Sequence, residues 1–185
     1  MDISKSHALQ AIEMCLTNAQ NYLDDANALY SQRKLEHIWV SYQFAFEELG
    51  KAKAMIDQLE QNTIPVKMNN AIRTKHQIKI DYIKDLIKIT PEREKYYHDT
   101  WSNFPLFNMF GDIEKTKNSF VALDQEIVNQ LVTDGHEKRK RAFVNFKPDG
   151  TPHLDDKMRE GDCVIISEII QKIIEDLRIK SSKIN

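Results

Sequence analysis

Between Ile38 and Leu59 the residues Ile38, Tyr42, Ala45, Leu49, Ala52, Ile56 and Leu59 follow one another at steps of 4, 3, 4, 3, 4 and 3. A helix turns ~100° per residue, so this spacing draws one apolar stripe along a helix of about six turns. A strand would scatter the same residues over both faces, so the segment is committed to helix. The preceding segment from Ser4 to Tyr30 carries matching rows: Ala8, Cys15, Tyr22; Ile12, Ala19, Ala26; and Leu16, Leu23, Tyr30. Only Ser31-Gln32-Arg33-Lys34 separates the two. So short a connection forces neighbouring helices to run antiparallel, and a long helical hairpin is expected.

The hairpin should stop between Asn62 and Pro65, because the residue before a proline is pushed out of the helical region. A third helix is expected over about Asn69–Ile89, with Ile72, His76, Ile80, Ile83 and Ile87 in line. Thr90-Pro91 has the form of a cap followed by a first-turn proline. The stretch 96–112 then crowds Tyr96, Tyr97, Trp101, Phe104, Phe107 and Phe110 around Pro105 without a clean period, and reads as an aromatic-rich insertion over the bundle. Helix is expected again from Ile113 to Val132, stopped at Asp134-Gly135. A short extended segment from Arg141 to Phe146 should close in a turn at Pro148-Asp149-Gly150. A last helix is expected from Arg159 to about Lys180, carrying Ile166, Ile170, Ile173 and Leu177, with residues 181–185 as a frayed tail. The expectation is one all-α domain over 1–185.

Composition narrows the function. Five Gly and five Pro in 185 residues suit long helices rather than turn-rich sheet. A formal net charge of −2 supplies no global field to draw in nucleic acid, so an RNA contact would need a local basic patch. Cys15 and Cys163 have neither metal-ligand spacing nor a disulfide framework, which fits a reducing cytoplasm. No apolar run approaches the ~20 residues of a membrane span, and Met1–Met14 reads as helix rather than signal peptide. A cytoplasmic chain with no membrane association is expected. No Glu-x-x-His pair, Gly-rich phosphate loop or Gly-x-Ser-x-Gly elbow is present, so no cofactor and no metal are expected.

Four constellations carry the chemistry that remains. The first is Phe46-Glu47-Glu48-Leu49-Gly50-Lys51. On the helix wheel Glu48 falls beside the apolar stripe, while Glu47 and Lys51 point mostly away from it. Gly50 costs about 1 kcal/mol relative to alanine inside a helix, which implies a close approach by another helix or a ligand. Surface ion pairs beside a packing glycine would explain the same residues. The second is His76 with Lys79 one turn on, flanked by Arg73 and Lys75. His76 interrupts an isoleucine line and should be partly shielded. It is either a hydrogen-bonded core histidine or, if Glu48 lies beside it, half of a charge-tuned pair suited to acid–base chemistry. The third is Arg93 and His98, an Arg-x4-His spacing. The fourth is the basic run Lys138, Arg139, Lys140 and Arg141, followed by Phe143 and Phe146, which is either a solvated loop or a surface for RNA or an acidic partner.

In order along the chain, these pieces resemble the AbiV-type abortive-infection family, a branch of the HEPN-like helical proteins. Family members open with a helical hairpin, matched by Asn21–Tyr30 and Ile38–Ala45. They continue into Glu-Glu-x-Gly-Lys, matched by Glu47, Glu48, Gly50 and Lys51, and then His-x-x-Lys, matched by His76 and Lys79. A later Arg-Ala-aromatic-Val-Asp/Asn segment is matched by Arg141, Ala142, Phe143, Val144 and Asn145, with Gly150 beyond. Phe143 stands where tyrosine is expected and Asn145 where aspartate is expected. The resemblance covers about residues 20–150.

The resemblance implies a HEPN-like antiparallel bundle, often a homodimer, that suppresses translation or growth on phage infection after a phage-encoded protein triggers it. RNA or the translation machinery would be its target. If it cuts RNA, His76 is expected as acid/base, Glu48 as its orienting carboxylate, and Lys51 and Lys79 as holders of phosphate charge. The cut would be metal-independent and leave a cyclic phosphate. Ribonucleolytic HEPN proteins use Arg-x4–6-His, which makes Arg93 and His98 the secondary pair, although Glu94 replaces the usual small polar residue or histidine. Two other readings stay open: a non-enzymatic helical adaptor or dimerisation module that binds a protein partner, and a partner module for a nucleotidyl-modifying or toxin-neutralising system.

Overall fold

A computed structural model describes residues 1–32, 34–87, 145–146, 149, 152–153 and 160–184. Ser4 begins the first helix, α1 (Lys5–Ser31), by holding an extended backbone while its Oγ accepts the His7 N–H at 3.3 Å. That satisfies one of the amide donors every helix start leaves unpaired. The expected rows pack as expected: Ala8, Ile12, Leu16, Ala19, Leu23 and Ala26 are buried, and each large one contributes about 1.5–3 kcal/mol of burial free energy.

The second helix, α2 (Leu35–Glu60), ends in an αL cap. Asn62 takes φ 54°, the Asn62 N–H donates to Leu59 O at 3.0 Å, and the Thr63 N–H donates to Gln58 O at 2.8 Å. This paired pattern satisfies the last carbonyls of α2 and turns the chain out. Two short strands then fix the geometry of the hairpin. β1 (Asp2–Ile3) pairs antiparallel with β2 (Val66–Lys67), Asp2 opposite Lys67 and Ile3 opposite Val66. Since β1 precedes α1 and β2 follows α2, the start of α1 lies beside the end of α2, so the two helices are antiparallel. The Gln58 side chain completes the join by bonding both the N–H (2.7 Å) and the carbonyl (3.2 Å) of Lys67.

The third expected helix is two. α3 (Asn70–Thr74) and α4 (His76–Ile87) are separated at Lys75. A one-residue break leaves Ile72, Ile80, Ile83 and Ile87 all buried, so the apolar spacing carries no trace of it. Asn69 caps α3, its Oδ1 accepting the Ile72 N–H at 2.9 Å.

The last helix, α5 (Glu160–Ser182), buries Cys163, Ile166, Ile169, Ile170, Ile173, Ile174 and Leu177. It runs two residues beyond the expected end, with Ser181 and Ser182 bonding back to the Arg178 and Ile179 carbonyls and Ile184 partly buried against the core. A buried bond from Tyr42 OH to the Cys163 carbonyl (2.8 Å) ties α5 to α2. Ser167 and Asn27 (3.1 Å) tie it to α1.

The described residues are therefore all-α apart from two two-stranded antiparallel pairs. The second pair joins β3 (Asn145–Phe146), within the expected extended segment, to β4 (Pro152–His153), which lies beyond the turn at Asp149 and was not expected as a strand. Helix α2 sits at the centre, against α1, α4 and α5. Not one of its residues from Ile38 to Phe46 is exposed, and none of them is charged. A helical stretch with no charged residue on any side is the kind that others surround. The expected boundary at Thr90-Pro91, insertion at 96–112 and helix at 113–132 lie outside the described residues.

Candidate functional site

The site grows from Gly50. A Cβ built there would stand 2.0 Å from the Lys79 carbonyl oxygen, 2.6 Å from its carbon and 2.9 Å from its Cα. No side chain fits, so α2 and α4 touch backbone to backbone. The close approach implied by a mid-helix glycine is to another helix. At ~100° per residue, Gln43, Glu47, Gly50 and Ala54 fall within about 60° of one another on α2, almost opposite the stripe through Ala45 and Ala52. Helix α4 occupies this second face.

Contact at Gly50 brings the first turn of α4 onto Glu47. The Lys79 ammonium donates to Glu47 Oε2 at 2.9 Å, with both side chains more than nine-tenths buried. The other carboxylate oxygen, Oε1, pairs with His76 Nδ1. An ionised carboxylate can only accept, so Nδ1 carries the hydrogen, and any proton exchange by His76 with another molecule runs through Nε2. The His76 side chain is 36% exposed, so the cluster opens toward solvent on the histidine side and is closed on the lysine side.

This arrangement corrects the expected pairing. Glu48 does not orient His76; its neighbour Glu47 does. Glu48 turns instead toward α1, where it accepts the Cys15 thiol and pairs with Lys51. Lys51 is thus engaged away from His76, and Lys79 is committed to Glu47 with its charge internally balanced. Lys79 and His76 share the Glu47 carboxylate, while Lys51 pairs with Glu48. The wheel located Glu47 correctly as pointing away from the main stripe. What it could not show is that a second helix covers that side.

Burial, then the adjacent Glu48 carboxylate, pushes the Cys15 thiol from its ordinary 9.0 up to about 12. The folded chain therefore holds this proton more tightly than the unfolded chain. The resulting stabilisation is complete below pH 9 and is lost as pH climbs from there towards about 12. Denaturant midpoints measured across that window should fall more steeply for the wild type than for Cys15→Ala. Parallel curves would show that the thiol makes no such contribution.

Arg93, His98, Lys138, Arg139, Lys140 and Arg141 lie outside the described residues. Among the described residues no three His, Cys, Asp or Glu side chains converge as a metal site would require, and no helix is long and apolar enough to cross a membrane.

No curated protein and no solved structure matches the chain. A family model does: HEPN_AbiV, described as AbiV, matches residues 7–147, more than half of the sequence, and spans the hairpin, Gly50 and the Glu47–His76–Lys79 cluster. With its helical hairpin, Glu-Glu-x-Gly-Lys turn and His-x-x-Lys turn brought together at one helix junction, the chain belongs to the AbiV family of HEPN proteins.

Proposed function

We propose that this chain is an abortive-infection effector that suppresses translation or growth by cutting RNA, with His76 as general acid/base and Glu47 as the carboxylate that orients it. Membership of the AbiV family supports the defence role. The observation that carries the chemistry is the pairing of a buried carboxylate with the Nδ1 of a half-exposed histidine. A carboxylate so placed fixes the ring and its tautomer, with Nε2 as the nitrogen that exchanges a proton, as in hydrolases that use the same pair. RNA supplies its own nucleophile, the ribose 2′-hydroxyl: His76 Nε2 takes its proton as the 2′-oxygen bonds to phosphorus, and the bond from phosphorus to the 5′-oxygen breaks, that oxygen leaving with a proton as a 5′-hydroxyl beside the cyclic phosphate. Lys79 has a positioning role, holding Glu47 in place through its buried ion pair. Arg93 and His98, and the basic run 138–141, remain the proposed secondary pair and RNA or partner surface. A homodimer triggered by a phage-encoded protein completes the reading.

The alternative, a non-enzymatic adaptor, draws on the Gly50–Lys79 contact, since a glycine and a buried ion pair also serve simple helix packing. One experiment separates the two. Purified protein is incubated with total RNA, with and without chelator, beside His76→Ala of confirmed fold. Cleavage that survives chelation and falls about 10²–10⁴-fold in the variant is the expected result. Intact RNA at high wild-type concentration would leave the adaptor.

A further inference from the structure

The face of α2 that meets α4 should be apolar, yet beside Glu47 it carries a second polar side chain, Gln43. Gln43 lies one turn from Glu47 on the same face and is only 4% exposed. Its amide Nε2 is buried and has no hydrogen-bond partner among the described residues. Helix packing gives no reason for this. A buried donor left unpaired is destabilising, and an apolar side chain of the same shape would remove that cost, so native chains rarely keep one without a use for it. The position supplies the use. One helical turn, about 5.4 Å along the axis, separates Gln43 from the carboxylate that holds His76.

We infer that Gln43 is a substrate-binding residue of the Glu47–His76 centre, its Nε2 donating to a phosphoryl oxygen of the RNA strand. The inference rests on the ribonuclease reading. RNA acceptors would satisfy Nε2 on binding, so the energy withheld in the free protein is recovered in the complex. A neutral amide suits this position, because a lysine or arginine there would compete with Lys79 for Glu47.

The test is Gln43→Met, which keeps the volume and removes the donor. Its melting temperature is expected to equal or exceed that of the wild type, because an unsatisfied group has gone. KM for RNA should rise about three- to tenfold, the worth of one hydrogen bond, with kcat within about twofold. The rise should be the same on poly(U) and poly(A), since a phosphate contact carries no base information. Gln43→Asn, which withdraws the amide by one methylene, should give the same KM shift if the methionine variant fails to fold. An unchanged KM in folded variants overturns the inference while leaving the nuclease intact. A rise confined to one polymer overturns the phosphate assignment. Absence of cleavage by the wild-type chain itself overturns both readings together.

Discussion

Gly50→Ala is expected to destabilise the protein by about 3 kcal/mol or more, at the upper end of what overpacking costs. The direction is the informative part. In an exposed helix the same change would gain about 1 kcal/mol, because alanine is the better helix former. Here the added methyl would stand 2.0 Å from the Lys79 carbonyl oxygen, and the obstruction is backbone rather than a flexible side chain. Helix α4 must move off α2 to make room, which also separates Glu47 from His76 and Lys79. For a chain of this length, a loss of that size lowers the melting temperature by roughly 6–12 °C. Thermal and urea denaturation of the variant measure it. A melting temperature equal to or above that of the wild type would mean that the helices do not approach as described.

Removing the Glu47 carboxylate should be nearly as damaging. Glu47→Ala leaves the Lys79 ammonium buried without its counter-charge, and breaking a buried pair in this way costs about 3–5 kcal/mol. The bond to His76 contributes less, because that ring is partly solvated and water screens the interaction. The expected signature is non-additivity. Glu47→Leu combined with Lys79→Met should recover much of the stability that either single change loses, since the double variant buries no lone charge. Activity should not recover with it, because His76 would still lack the acceptor that fixes its ring. Chemical denaturation of the two single variants and the double gives the coupling energy. If Glu47→Ala alone falls within about 0.5 kcal/mol of the wild type, the pair behaves as a surface ion pair and the closed side of the cluster is wrong.

Much of the scaffold is written in local spacing. The stripe from Ile38 to Leu59, the rows of α1 and the short connection between them specify a hairpin because side-chain direction along a helix is a matter of covalent geometry. Gly50 announced a close approach for a similar reason: its cost inside a helix is local and visible in one residue. The break at Lys75 left no such mark, since an interruption of one residue keeps Ile72 and Ile80 on the same side. One further signal was present in the residues: the uncharged run from Ile38 to Phe46 means that α2 is covered on more than one side.

The choice between Glu47 and Glu48 belonged to the tertiary structure. Adjacent helical residues differ by ~100°, and both positions are compatible with a partner histidine until it is known which side α4 occupies. The residue types at this centre and their order along the chain were fixed by the sequence. Which carboxylate faces the histidine and which lysine is buried were decided by where α4 comes to rest on α2, because that depends on contacts between residues some thirty positions apart.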